Sequence, residues 1–100
     1  MNTYAIRRKS AWRIPHELDH AAGRSTEIAT NEFPNDIRWI RSYVINEAGG
    51  SLGTICIYQA SGPEAIRRHA ERVGMPADDI FEVADTVVVR ADPVGESNRG

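Results

Sequence analysis

Two histidines one helical turn apart, His16 and His20, are the residues whose types and spacing most directly suggest chemistry. Their segment reads His-Glu-Leu-Asp-His and matches H-E-x-x-H, in which two helical histidines bind zinc and the glutamate activates water. Thr26 stands where the longer form of this motif has a third histidine. Both histidines lie opposite Leu18 on a helical wheel, which places them on the solvent side of the helix. A protease needs its zinc at the bottom of a cleft, and a chain of 100 residues has no room for the second subdomain that would form one. A metalloprotease is therefore disfavoured.

The same pair still offers a metal-binding hypothesis, because imidazoles at i and i+4 are neighbours on a helix and can chelate a divalent transition metal. Glu17, Asp19, water or groups from another molecule would complete the coordination shell. The alternative is a pair of solvated histidines near the start of a helix, where the helix dipole disfavours their charged form.

A second group of candidates is aromatic. His69 lies about 60° from Ile66 on the wheel of its helix, at the border of the apolar stripe. This position predicts either a half-buried core histidine with one backbone hydrogen bond or a pocket residue between helix and sheet. In the second case its partners in the pocket are Trp39, Tyr43 and Tyr58.

Two further features have structural interpretations. Cys56 lies between two isoleucines and is interpreted as a small hydrophobic side chain, with a soft metal ligand or reactive thiol as the alternative. It is the single cysteine, which excludes an internal disulfide and a zinc site of several cysteines. The basic cluster near the N-terminus is interpreted as a charged edge strand rather than a phosphate site; its members are Arg7, Arg8, Lys9 and Arg13.

Composition narrows the class of protein. The net charge is −2, from 12 basic and 14 acidic residues, which argues against a nucleic-acid binder. No apolar run approaches the ~20 residues of a membrane span, and the N-terminus lacks the apolar region of a signal peptide. We therefore expect a cytoplasmic protein with one domain over residues 1–90 and a flexible tail over residues 91–100.

Hydrophobic periodicity places these residues on six elements. A capping box formed by Ser61 and Glu64 opens the second helix, and Gly74 ends it in the left-handed conformation. The order β-α-β-β-α-β predicts an α+β, ferredoxin-like fold, with a four-stranded antiparallel sheet and both helices on one face. The predicted strands are Thr3–Arg8, Ile37–Asn46, Thr54–Gln59 and Ile80–Arg90, and the first helix begins at Pro15 and ends before Pro34.

The face of the sheet that points away from the helices is predicted to be aromatic. Strict alternation would place Ile40, Ser42, Val44, Ile55 and Ile57 toward the helices, and Trp39, Arg41, Tyr43, Ile45, Thr54, Cys56 and Tyr58 away from them. A sheet face that meets water is normally polar. A second copy packed face to face is the simplest cover, which predicts a homodimer forming an α/β-barrel.

The stretch from Trp39 to Val83 resembles a family of small bacterial proteins typified by a nickel-binding, nickel-responsive protein of streptomycetes. The family has a W-x-x-S-Y-V strand, a C-x-Y-x-A strand and a helix ending A-x-x-x-G-x-P-x-D-x-I. In this sequence they are Trp39, Ser42, Tyr43 and Val44; Cys56, Tyr58 and Ala60; and Ala70, Gly74, Pro76, Asp78 and Ile80. The resemblance covers roughly residues 3–90 and implies a ferredoxin-like fold, a dimer and nickel binding.

Two functional hypotheses follow. In the first, the protein is a small dimer that binds nickel or another divalent transition metal through His16 and His20, for sequestration or sensing. In the second, a small-molecule-binding or monooxygenase-like dimeric α/β-barrel binds or turns over a small organic molecule in a cavity lined by Trp39, Tyr43, Tyr58 and His69. No catalytic group is assigned, so binding is favoured over catalysis.

Overall fold

The computed structural model describes residues 1–93. Its helices and strands follow one another in the predicted order. In this part of the chain the elements are β1 (Asn2–Trp12), α1 (Pro15–Glu32), β2 (Ile37–Asn46), β3 (Leu52–Ala60), α2 (Pro63–Val73) and β4 (Asp79–Glu82). The tail predicted over residues 91–100 falls mostly on residues 94–100, which lie outside the described residues.

The strands form one antiparallel sheet in the order β2-β3-β1-β4. Both helices lie on the same face of it, since Ser25 of α1 and His69 of α2 each contact Tyr58 of β3. This is the ferredoxin-like arrangement, so the predicted fold class is confirmed. The core lies between the helices and the central strands, where Ile6, Tyr58, Ala65 and Ile66 are buried.

β1 occupies the centre of the sheet, between β3 and β4, and is not an edge strand. The interpretation of its basic residues as protection of an edge is therefore wrong. Tyr4, Ile6 and Arg8 alternate toward the helices and are buried, whereas Arg7 lies on the other side and pairs with Glu47. The register between β1 and β3 shifts after Arg8, so the strand continues irregularly to Trp12.

A β-bulge in β2 overturns the predicted alternation of faces. Trp39 pairs with Tyr58 and Arg41 with Ile57, so Ile40 is an extra residue relative to β3. Trp39 therefore lies on the helix side together with Ser42, to which its Nε1–H donates a hydrogen bond of 2.8 Å.

The assignment of β3 is also reversed from the prediction. Thr54, Cys56 and Tyr58 are buried on the helix side, and Ile55 and Ile57 occupy the opposite face. We call this opposite face, which points away from α1 and α2, the open face. Tyr43 is exposed on this face as predicted, and Ile40 and Phe81 are exposed there with it, whereas Trp39 and Tyr58 lie on the helix side instead.

The helix termini test two further predictions. α2 begins after Gly62 without any side-chain cap, so the capping box of Ser61 and Glu64 does not form. Gly74 does end α2 in the left-handed conformation, at φ 85° and ψ 33°, and its N–H donates to the carbonyl of Ala70. Glycine is suited to this position because it adopts positive φ without a Cβ clash.

β4 is shorter than predicted, because its partner strand runs out. β4 runs antiparallel to β1 toward the N-terminus, and its last backbone contact is Val83 N–H to the carbonyl of Thr3. Residues beyond Val83 have almost no further β1 backbone to pair with. The chain then crosses the open face, and Asp92 binds Arg41 and Tyr43 of β2 at the opposite edge.

Candidate functional site

A cavity of about 180 Å³ lies between α1 and the sheet. Its wall is largely apolar, with Trp12, Leu18, Trp39, Val44 and Met75 among the lining residues. A smaller polar set comes from the central strands and the inner face of α1; it includes Arg8, Ser25, Thr54 and Tyr58. A mostly apolar cavity with a few convergent polar groups is typical of a small-molecule site.

Three of the four residues predicted for an aromatic pocket lie together. The rings of Trp39 and Tyr58 stack at 6.1 Å between centroids, with planes inclined by 10°. The centroid of the His69 ring lies 5.8 Å from that of the Tyr58 ring, with the planes inclined by 58°. Tyr43 lies elsewhere, on the open face, where it is 42% exposed and its hydroxyl donates to Asp92. The bulge at Ile40 separates Tyr43 from Trp39.

His69 is buried, at 1% exposure, and does not line the cavity. Its Nε2–H donates to the backbone carbonyl of Ser25 at 3.1 Å, while Nδ1 is buried and finds no hydrogen-bond partner among the described residues. Burial lowers the pKa of His69, and the positive charge of Arg8 acts in the same direction. The imidazole is therefore neutral, with its proton on Nε2, and its single backbone hydrogen bond is that of a core histidine.

Tyr58 connects the cavity to this buried cluster. It lines the cavity, and its hydroxyl lies 3.3 Å from Oγ of Ser25. Burial raises the pKa of the Tyr58 phenol, so the hydroxyl keeps its proton and can donate it in a hydrogen bond. Sequence reasoning missed Ser25, whose small polar side chain gave no signal beyond its place on the apolar stripe of α1.

Arg8 is the other residue that sequence reasoning missed. Its side chain is buried at 1% exposure, and the guanidinium carbon lies 5.9 Å from the centroid of the Tyr58 ring. Nη1 donates to the carbonyl of Pro76 at 2.6 Å, whereas Nη2 is buried and has no partner in residues 1–93. The signal was present in the alternation, since Arg8 is in phase with Tyr4 and Ile6.

The histidines of the H-E-x-x-H motif lie on the outside of α1. His16 and His20 are exposed, in agreement with the wheel. Glu17 is engaged by Arg13, whose backbone N–H and guanidinium donate to the two carboxylate oxygens at 2.9 and 2.7 Å. These contacts lower the pKa of Glu17. The carboxylate that would activate water in a protease therefore stabilises the start of the helix.

Within residues 1–93, no three histidine, cysteine, aspartate or glutamate side chains are grouped so that they could hold a metal ion. His16 and His20 thus provide at most two protein ligands from one copy of the chain. Cys56 is buried, and its Sγ donates to Oγ1 of Thr54 at 3.2 Å. In the described part of the chain, neither helix is long and apolar enough to cross a bilayer.

Comparison with known proteins gives a family and a fold. A search of curated proteins found no match. Among solved structures, the chain is similar to SCO4226 from Streptomyces coelicolor A3(2), with a TM-score of 0.68 and 20% sequence identity. The similarity covers 85% of this chain and 99% of that one, and it supports the fold. Residues 4–83 match the family described as nickel responsive protein SCO4226-like. The chain therefore belongs to the SCO4226-like family of nickel-responsive proteins.

Proposed function

We propose that this protein is a small cytoplasmic homodimer that binds nickel for sequestration or response, with His16 and His20 as its protein ligands. The observation that carries the proposal is the exposed pair of imidazoles at i and i+4 on α1. Membership of a nickel-responsive family supports the choice of metal. Imidazole suits nickel among the divalent transition metals, and the i, i+4 spacing lets both rings reach one ion.

The remaining coordination positions constrain this proposal. Glu17 is already engaged by Arg13, and Asp19 lines the cavity between α1 and the sheet, so the described residues of one chain offer the ion only the two imidazoles. Water or a group from a second molecule would fill the other positions. An incomplete protein shell predicts exchangeable binding, as expected for sensing or sequestration rather than for a structural metal.

Calorimetric titration of the metal-stripped, untagged protein with nickel, zinc and copper tests the proposal. Replacing His16 or His20 by alanine should remove most of the nickel affinity with little loss of stability, because both side chains are exposed. Nickel competes with protons for the imidazole nitrogens, so the nickel affinity should fall as the pH is lowered. His69→Ala is the control, which should lose stability and retain nickel binding. A double His16/His20 variant that titrates like the wild type would exclude this site.

The homodimer is supported by the open face of the sheet. Ile40, Tyr43 and Phe81 are exposed there, and the segment that crosses this face exposes Val87 and Val89. Clustered apolar exposure of this kind marks an interaction surface, and a second copy would bury it. Light scattering at high micromolar concentration should give twice the 11.1 kDa mass of one chain. The monomer mass under those conditions would contradict the dimer.

A second candidate function is binding of a small organic molecule, favoured by the cavity between α1 and the sheet. Trp12 and Trp39 both line it, so indole fluorescence reports directly on occupancy. An engineered apolar cavity of about 150 Å³ binds benzene, so the volume here suits a ligand with one aromatic ring. A screen of small aromatic compounds should find ligands that change this fluorescence. Replacing His16 and His20 by alanine should leave the binding of these ligands unchanged.

A further inference from the structure

Arg8 lines the cavity, and no carboxylate of the described residues neutralises its charge. Arg7, Arg13, Arg41 and Arg72 each form an ion pair with a carboxylate, and all four keep part of the side chain exposed. Arg8 is almost fully buried and makes no ion pair within residues 1–93. Burying a charge without a counter-ion is strongly unfavourable, so an arginine in this position needs compensation.

The partners that Arg8 does have in the described chain are uncharged. One guanidinium nitrogen binds the carbonyl of Pro76, and the group lies beside the face of the Tyr58 ring. Nη2 remains buried with no hydrogen-bond partner in the described chain. Buried polar atoms are nearly always hydrogen-bonded, so an orphaned donor calls for a specific explanation. Arg8 is one of the residues that line the cavity of about 180 Å³, although Nη2 itself is covered by neighbouring atoms.

We propose that the cavity binds a small organic monocarboxylate, with its carboxylate at Arg8 and its apolar or aromatic body between Trp39, Leu18 and Met75. This proposal rests on the second candidate function and specifies its ligand class. A planar guanidinium binds a carboxylate through two parallel hydrogen bonds, an arrangement that a point charge does not provide. Because Nη2 is covered, binding requires the guanidinium to turn toward the cavity.

The other lining groups suit this orientation. Ser25, Thr54 and Tyr58 are among the lining residues, and the hydroxyl group of each can donate a hydrogen bond to a carboxylate oxygen. Because burial raises the pKa of Tyr58, its hydroxyl stays protonated as a donor at neutral pH. Asp19 is the acidic lining residue; it is exposed to water, which screens its repulsion of an anion.

The test compares phenylacetate with phenylacetamide at pH 7.5, using tryptophan fluorescence of the full-length protein. The two compounds share shape and aromatic ring and differ in charge. We expect phenylacetate to bind at least about tenfold more tightly than the amide. In Arg8→Met the two compounds should bind equally, and Arg67→Met, which removes an exposed arginine, should keep the wild-type preference.

The outcomes separate the two levels of the proposal. Equal binding of both compounds to the wild type overturns the role of Arg8 and leaves the organic-ligand function in place. Absence of binding by both overturns the monocarboxylate proposal and contradicts the organic-ligand function for aromatic compounds of this size. Thermal unfolding of the wild type gives a readout that does not depend on a variant: phenylacetate should raise Tm with concentration more than the amide does.

Discussion

Protonation of His69 should destabilise the folded protein below neutral pH. Burial lowers the pKa of His69, so between its ordinary value of 6.5 and the lower folded value the unfolded chain binds a proton that the folded chain does not. Stability should therefore fall as pH falls from about 6.5. A difference of one proton changes the free energy of unfolding by at most about 1.4 kcal/mol per pH unit, which sets the upper limit of the effect.

Urea unfolding at pH 7.5, 6.5 and 5.5 measures this slope. Titration of the carboxylates does not contribute to the slope between pH 7.5 and 5.5. The pKa values of Glu17, Glu32 and Glu47 are lowered from the ordinary value of 4.5, so the stability that these groups contribute is lost only below about pH 4.5. His69→Gln should be less stable than the wild type at pH 7.5 and nearly independent of pH in this range.

His20→Gln is the matched control, because it removes an exposed imidazole from the same protein. Its stability should decrease toward pH 5.5 as steeply as that of the wild type. If the free energies of unfolding of the wild type and His69→Gln fall equally between pH 7.5 and 5.5, protonation of His69 is not the cause of the loss of stability.

Three further substitutions, at two glycines and one carboxylate, have expected effects on stability. Gly53→Ala should lower the free energy of unfolding by about 1–3 kcal/mol, because an added Cβ would lie 2.5 Å from the carbonyl oxygen of Arg8. In α1, the Cβ added by Gly23→Ala meets nothing within 4 Å, so this variant should raise the free energy of unfolding by roughly 0.5–1 kcal/mol. Urea unfolding measures both changes. Hydrogen bonds from the Ser10 backbone and then from Arg7 lower the pKa of Glu47, so this carboxylate stabilises the fold above about pH 4.5. The Tm of Glu47→Gln should therefore lie below that of the wild type at pH 6, and the gap should close as pH falls toward 3; a gap that is constant with pH would contradict the ion pair.

The sequence by itself determined the order and type of the elements. Pro15 and Pro34 bracket α1, and Gly74 ends α2, because these residues have few backbone choices and the consequence is local. The exposed positions of His16 and His20 also followed from the period of the helix alone. Those predictions needed no knowledge of neighbouring strands.

The faces of the strands were decided by the tertiary structure. The bulge at Ile40 depends on how β2 aligns with β3, and one extra residue moves Trp39 and Tyr43 to opposite sides of the sheet. β4 ends where β1 has no more backbone to offer, although residues 86–89 have high β propensity. Propensity describes a residue, whereas a strand exists only where a partner strand is present.

Arg8 shows the same division within the candidate site. Alternation with Tyr4 and Ile6 placed it on the inner face, but its charge suggested an exposed edge. The sheet order put β1 at the centre, so the guanidinium is buried beside Tyr58 and the cavity. Burial of a charge depends on what packs over it, here α1 and the segment around Pro76, and that packing brings together residues far apart in the sequence.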